Sequence, residues 1–141
     1  MILPDVNVLL YAFRRDAVRH ADYKRWIEAL INEPAAYGVS PQVLASVVRI
    51  STHRSIYVEP STPAEAFSFC GALMEPAHCS VVQPGPRHWE IFSALCHKSR
   101  ATGNLVQEAW FAALAIEACC EWVTTDRDYA RFPGLRWREP F

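Results

Sequence analysis

Three acids in this chain, Asp5, Glu108 and Asp126, have the surroundings that carboxylate chemistry requires. Asp5 ends the short apolar run Ile2-Leu3-Pro4, and Asp126 follows the apolar run Trp122-Val123-Thr124, so both stand at the mouths of expected buried strands. Glu108 falls on the expected first turn of an Ala-rich helix that begins at Asn104. Brought together in a partly desolvated place, three carboxylates repel one another and must take up protons or bind a cation. A hard divalent ion, Mg²⁺ or Mn²⁺, suits an all-oxygen set, and the natural chemistry is phosphodiester hydrolysis. Asp128 is placed to serve as an outer acid. Taken singly, each acid has an ordinary structural reading as a helix or turn cap.

The nearest polar companions are Asn7, Thr125 and Asn104. Asn7, two residues after Asp5, could hold Asp5 or a water beside an ion, or it could cap the helix that follows. Asn104, one helical turn before Glu108 on the same face, carries the same two readings. Arg14, Arg15 and Arg19 near the first acid, the group Arg49, His53 and Arg54, and Arg127 with Arg131 are candidates for phosphate contacts, although such charges commonly just solvate a face. Trp26, Trp89, Trp110 and Trp122 lie in helix or strand patterns and are expected in the core rather than as base-stacking platforms.

The elements that must position these acids follow from periodicity and punctuation. Val6 to Phe13 reads as an apolar helix leading away from Asp5, and Pro4, lacking an amide donor, belongs at the end of its strand. Ala17 to Asn32 keeps a helical period through Ala21, Trp26, Ile27, Leu30 and Ile31. Ala36-Tyr37-Gly38-Val39 is a second strand, and Ser40-Pro41 opens a helix carrying Val43, Leu44, Val47, Val48 and Ile50. Thr62-Pro63-Ala64-Glu65 is a capping-box pattern for a helix reaching Met74, with Phe69, Cys70, Leu73 and Met74 as its inner face. Ser80 to Gln83 is a third strand, Pro84-Gly85-Pro86 breaks the chain before a helix carrying Trp89, Phe92, Leu95 and Cys96, and Leu135 to Trp137 is a possible edge strand. Strands separated by helices from end to end imply an α/β fold with a mainly parallel sheet, in which ligands bind beyond the carboxyl ends of the strands.

At 141 residues, 51% hydrophobic, the chain has the length of a single domain, residues 1–141, with a sizeable core. No apolar run is long enough for a membrane span and the N-terminus lacks the basic region of a signal peptide, so a cytoplasmic protein is expected. Five cysteines without a Cys-x-x-Cys pair read as reduced, mostly buried thiols rather than a zinc or disulfide framework. A net charge of −1 excludes an overall basic field, so any nucleic acid must be met by local patches.

The segments Met1-Ile2-Leu3-Pro4-Asp5-Val6-Asn7-Val8-Leu9-Leu10-Tyr11-Ala12, Gly103-Asn104-Leu105-Val106-Gln107-Glu108-Ala109 and Val123-Thr124-Thr125-Asp126-Arg127-Asp128-Tyr129-Ala130-Arg131-Phe132 together resemble a PIN-domain ribonuclease, and more narrowly the chain is similar to VapC toxins of bacterial toxin–antitoxin pairs. The resemblance implies a three-layer α/β/α sandwich, metal-dependent endonucleolytic cleavage of RNA, and a cognate antitoxin whose C-terminal segment lies in or near the acidic groove. It also implies a homodimer, and it puts Asp5, Glu108 and Asp126 on acidic positions of the family motif. Two departures stand out. The family usually has Asp where this chain has Glu108, and it tends to carry a Glu, three residues before an Arg, on the helix after the second strand. Ser46 holds that position here, three residues before Arg49. A hydroxyl supplies no charge, so weaker cation binding is expected, and a catalytically weak antitoxin-binding partner is the alternative function. A phosphatase or phospho-receiver domain shares the layers, but Asp5-Val6-Asn7 lacks a second acid two residues on.

Overall fold

The computed structural model describes residues 1–141. Five short strands form one parallel sheet: β1 (Ile2–Pro4), β2 (Tyr37–Val39), β3 (Cys79–Val81), β4 (Glu121–Val123) and β5 (Trp137–Arg138), in the order β3-β2-β1-β4-β5. Six helices flank it: α1 (Val6–Phe13), α2 (His20–Asn32), α3 (Pro41–Ser51), α4 (Pro63–Met74), α5 (His88–Ser99) and α6 (Asn104–Glu117). Helices α1 to α4 pack on one another and α5 packs on α6, which gives the α/β/α layering expected of the chain. A one-turn 3₁₀ helix, Arg127–Arg131, joins β4 to β5.

The strand order decides where chemistry can occur. The chain runs β1-β2-β3 outward in one direction, then returns to lay β4 on the other side of β1. The crossovers leaving β1 and β4 therefore diverge, and a crevice opens beyond their carboxyl ends. Ile2, Leu3 and Pro4 lie opposite Glu121, Trp122 and Val123, and the Asp5 amide donates to the Val123 carbonyl at 2.9 Å. Because the Asp5 amide points to β4, the next position back would point its amide to β2. Pro4 has none to offer, and β1 pairs with β2 only through Ile2 opposite Tyr37.

Trp122 and Leu3 are fully buried at the centre of the sheet. Helix α6 buries Ala109, Phe111, Ala112, Ala113, Leu114 and Ala115, so it is an internal helix whose small side chains let it lie close to β4. The capping box forms as expected: the Glu65 amide donates to Thr62 Oγ1 at 3.2 Å, and the Thr62 amide to Glu65 Oε2 at 2.7 Å.

Several expectations are corrected. Helix α2 begins at His20 rather than Ala17, because Arg19 adopts a left-handed conformation (φ 60°). Its buried residues are Tyr23 and Ile27, while Ala21 is exposed. On α4 the exposed Met74 gives way to Ala66 on the inner face. Strand β3 starts one residue earlier than read, and the edge strand lies at Trp137–Arg138. Trp89 is 69% exposed, since the neighbouring His88 takes the inward position and its ring packs on Trp110. All five cysteines are free, with Cys70 and Cys120 buried and Cys119 exposed.

Candidate functional site

Asp5 follows β1 directly and caps α1. Its Oδ1 accepts from the Val6 amide at 2.6 Å, and its Oδ2 accepts from Thr124 Oγ1 at 2.6 Å. The capping reading and the chemical reading are thus both available to one carboxylate. Only 5% of Asp5 is exposed, and burial pushes its carboxyl from the ordinary 3.8 up to about 6, with a smaller upward push from Asp126. The bonds from Thr124 and Val6 act in the opposite direction.

Thr124 is the hub of the site. Its hydroxyl donates to Asp5, accepts from Asn7 Nδ2 at 3.2 Å and accepts from the Asp126 amide at 3.0 Å. One buried hydroxyl therefore fixes the loop ends of β1 and β4 against each other. Thr125 was the companion expected from the sequence, but it contributes only its amide, 3.5 Å from Asn7 Oδ1. The alternation of a strand could have distinguished the two, since Thr124 lies two residues from Trp122 and shares its side of β4.

Asp126 caps the 3₁₀ helix, with Oδ1 accepting from the Asp128 amide at 2.8 Å. Glu108 is the fifth residue of α6, which places it in the second turn rather than the first, and Gly103 rather than Asn104 is the N-cap. Its Oε2 is buried without a hydrogen-bond partner. Burial raises the Glu108 carboxyl, with further upward pushes from Asp126, Asp128 and Asp5 partly offset by Arg131. Carboxylate oxygens of Glu108, Asp126 and Asp128 lie within 4.8 Å of one another. Asp128, expected as an outer acid, is thereby part of the tightest trio, although Arg131 also holds it at 2.9 Å.

A cavity of about 320 Å³ joins these parts: Asp5, Glu108 and Asp126 line it together with Asn7, Ser46 and Asn104. Two polar lining residues, Gln107 and Tyr129, were not foreseen, and Arg49, read from the sequence as a candidate for phosphate contact, also lines the cavity. Tyr129 is almost fully buried, and burial, reinforced by Asp5, Glu108 and Asp126, holds its phenol strongly toward the protonated form. The donor set is entirely oxygen, and a buried carboxylate oxygen without a partner stands within it. It suits a divalent cation of the hard class, which Glu108 and Asp126 would hold together with Asp128 or Asp5.

The arginines sort differently from their sequence order. Arg14, Arg15 and Arg19 lie past the far end of α1, whose eight residues span about 12 Å from the Asp5 cap. Arg14 is buried and binds Asp16 at 2.6 Å, Ser61 Oγ at 2.9 Å and the Glu59 carbonyl at 3.0 Å, with Tyr57 beneath its guanidinium, so it fastens the α3–α4 loop. Arg19 pairs with Asp22, and Arg127 with Glu139.

A PIN-domain profile matches residues 2–135. The VapC ribonuclease Mb2897 of Mycobacterium bovis is 40% identical over 99% of this chain and 95% of its own length. Ribonuclease VapC25 of Mycobacterium tuberculosis is 39% identical over 99% of both chains. Among solved structures, VapBC2 of Rickettsia felis superposes with a TM-score of 0.71 at 18% identity, covering 99% of this chain and 98% of that one. Mycobacterium tuberculosis VapC20, described as a sarcin-ricin loop cleaving toxin, gives 0.63 at 15% identity, covering 96% and 99%. Phospho-receiver chemistry is set aside by these likenesses, and the chain belongs to the PIN-domain family, in its VapC ribonuclease branch.

Proposed function

We propose that this VapC ribonuclease, an endoribonuclease toxin of a toxin–antitoxin pair, cuts RNA at the carboxylate cavity, with Asp5, Glu108 and Asp126 as the catalytic and ion-holding residues and Mg²⁺, or Mn²⁺ in its place, as the ion. The observation that carries this reading is the partnerless buried Oε2 of Glu108 among carboxylates that share one cavity. When bound, the ion supplies positive charge that acidifies a water and neutralises the phosphate. The chain's own residues do the rest. Thr124 and Asn7 hold Asp5 and the Asp126 loop in register, and Asp128 extends the acidic edge toward solvent. Asp5 and Glu108 hold protons more tightly than ordinary carboxylates, and Asp5 takes up its negative charge only as pH rises through about 6.

Ser46 lines the cavity where the family tends to carry an acid, and it offers a hydroxyl without charge. The weaker alternative, an antitoxin-binding partner without turnover, is not favoured, because relatives at 39–40% identity that share the whole length are named ribonucleases. Solved VapBC complexes of the same fold support a cognate antitoxin as partner, and its C-terminal segment would reach the acidic groove. A homodimer in the cytoplasm completes the reading; no helix is long and apolar enough to cross a membrane. The test is cleavage of total RNA by the purified chain with Mg²⁺, with Mn²⁺ and with EDTA, beside Asp5→Ala. Cleavage is expected only with an ion and only with Asp5 present; undiminished cleavage by Asp5→Ala would refute the mechanism.

A further inference from the structure

The cavity that gathers Asp5, Glu108 and Asp126 has a single cation on its wall, Arg49. Arg49 stands in the last turn of α3, one turn after Ser46, and both side chains face the cavity. Arginines close to the acids are otherwise committed, Arg131 to Asp128 and Arg127 to Glu139. Arg49 is exposed, belongs to none of the seven ion pairs in the structure, and its guanidinium donates no hydrogen bond. An acid at position 46 would sit three residues before it on the same helix face and would hold the guanidinium in an i,i+3 pair. Ser46 cannot do so, and the guanidinium stays free.

We infer that Arg49 is a substrate-positioning residue of this ribonuclease: its guanidinium takes a phosphate of the bound RNA at the rim of the acidic cavity, a role made available by Ser46. The charge balance requires such a group. Three ionised carboxylates and one divalent ion leave the cavity with one net negative charge, which repels the phosphate that must enter. Arg49 brings a positive charge to the cavity wall and presents a planar fork that matches two phosphate oxygens, which an ammonium cannot. Losing an acid at position 46 thus weakens the ion side of the cavity and strengthens its phosphate side.

The inference rests on the proposed RNA cleavage, and its test separates the two. Binding of a short fluorescein-labelled single-stranded RNA of mixed sequence is followed by anisotropy in an Asp5→Asn background, with Mg²⁺, over about 50 to 200 mM salt. Arg49→Gln is expected to weaken binding about tenfold and to lower the slope of log affinity against log salt by about 0.7, the value for one single-strand phosphate contact. Arg49→Lys should keep the slope and lose part of the affinity. Ser46→Glu should weaken binding as Arg49→Gln does, by capturing the guanidinium. Lys98→Gln, which removes an exposed cation outside the cavity, should change nothing. In the otherwise native enzyme, Arg49→Gln should raise KM about tenfold and change kcat by less than threefold. Unchanged binding and slope in Arg49→Gln, or an equal loss in Lys98→Gln, would overturn the inference, while the Asp5→Ala result would still stand for the cleavage reading. If Asp5→Ala cleaves normally and Arg49→Gln still loses its phosphate contact, the reverse holds.

Discussion

Replacing Thr124 with Val keeps the shape and the branch at Cβ but removes the hydroxyl that knits the site. Every hydrogen-bonding capacity of that hydroxyl is in use: one proton goes to Asp5, and two lone pairs take Asn7 and the Asp126 amide. Asp5 is 5% exposed, so solvent compensates poorly for the lost donor. A hydrogen bond to a charged buried group is worth about 2 kcal/mol, or roughly 6 °C in melting temperature for a chain of this size. The loss has a pH signature. The Thr124 bond opposes the burial that lifts the Asp5 carboxyl to about 6, so Thr124→Val drives that carboxyl higher still. The penalty should be full near pH 7, where native Asp5 is ionised. It should fade as pH falls through about 6 and be gone near pH 4, where Asp5 is protonated in the native and variant folds alike and no longer acts as a charged acceptor. The assays are thermal unfolding of metal-free protein at both pH values and kcat/KM for RNA cleavage against pH, whose acid limb should move to higher pH. Thr124→Ser, which restores the hydroxyl, should return the acid limb to its native place. A native acid limb in Thr124→Val, or a Thr124→Ser limb as displaced as that of Val, would refute the assignment of Thr124 as the hub.

The remaining predictions concern the acids and the tryptophans. The Asp5 carboxyl lies at about 6 when folded against 3.8 ordinarily, which corresponds to roughly 3 kcal/mol of linkage. Because the folded value is the higher one, that stability is fully present below about pH 3.8 and lost as pH rises through about 6. Added Mg²⁺ should therefore raise the melting temperature more at pH 7.5 than at pH 5, and equal shifts at the two values would argue against Asp5 as an ion ligand. Glu108→Gln removes a desolvated carboxylate crowded by Asp126 and Asp128, so the metal-free variant should melt no lower than the native chain while cleavage falls about a hundredfold or more. Trp89→Ser, at a 69% exposed site, should change stability by less than about 0.5 kcal/mol. Trp122→Leu, at a fully buried one, should cost about 2 to 4 kcal/mol by chemical denaturation.

What the sequence made legible, and what it did not, follows from the range of the interactions involved. Asp5 and Asp126 were readable because each ends an apolar run, and in a parallel sheet such ends share one edge. That β1 and β4 are neighbours is a matter of strand order, which no local pattern carries. The helices with local punctuation, such as Thr62-Pro63-Ala64-Glu65 before α4, came out with their observed limits. Arg14 illustrates the opposite case: its partners Tyr57, Glu59 and Ser61 lie more than forty residues on, so its spacing suggested phosphate when its use is to fasten a loop. Trp89 and His88 differ by one position on α5, and only the packing of α5 on α6 decides which faces inward.

Position 46, where the family resemblance leads one to expect an acid, carries two readings. As a lost ligand it predicts only a weaker enzyme. In the folded chain, Ser46 and Arg49 share one helix face and one cavity with three acids. Removing the acid from that face therefore changes two terms of opposite sign, the attraction of the cavity for a cation and its repulsion of a phosphate. A divalent ion present in excess over its dissociation constant saturates even a weakened site, whereas an RNA phosphate must still enter against whatever charge is left. The exchange of an acid for Ser46 is consequently compatible with turnover, provided that Arg49 is free, and its cost should appear in the ion concentration needed for half-maximal cleavage rather than in kcat at saturating Mg²⁺.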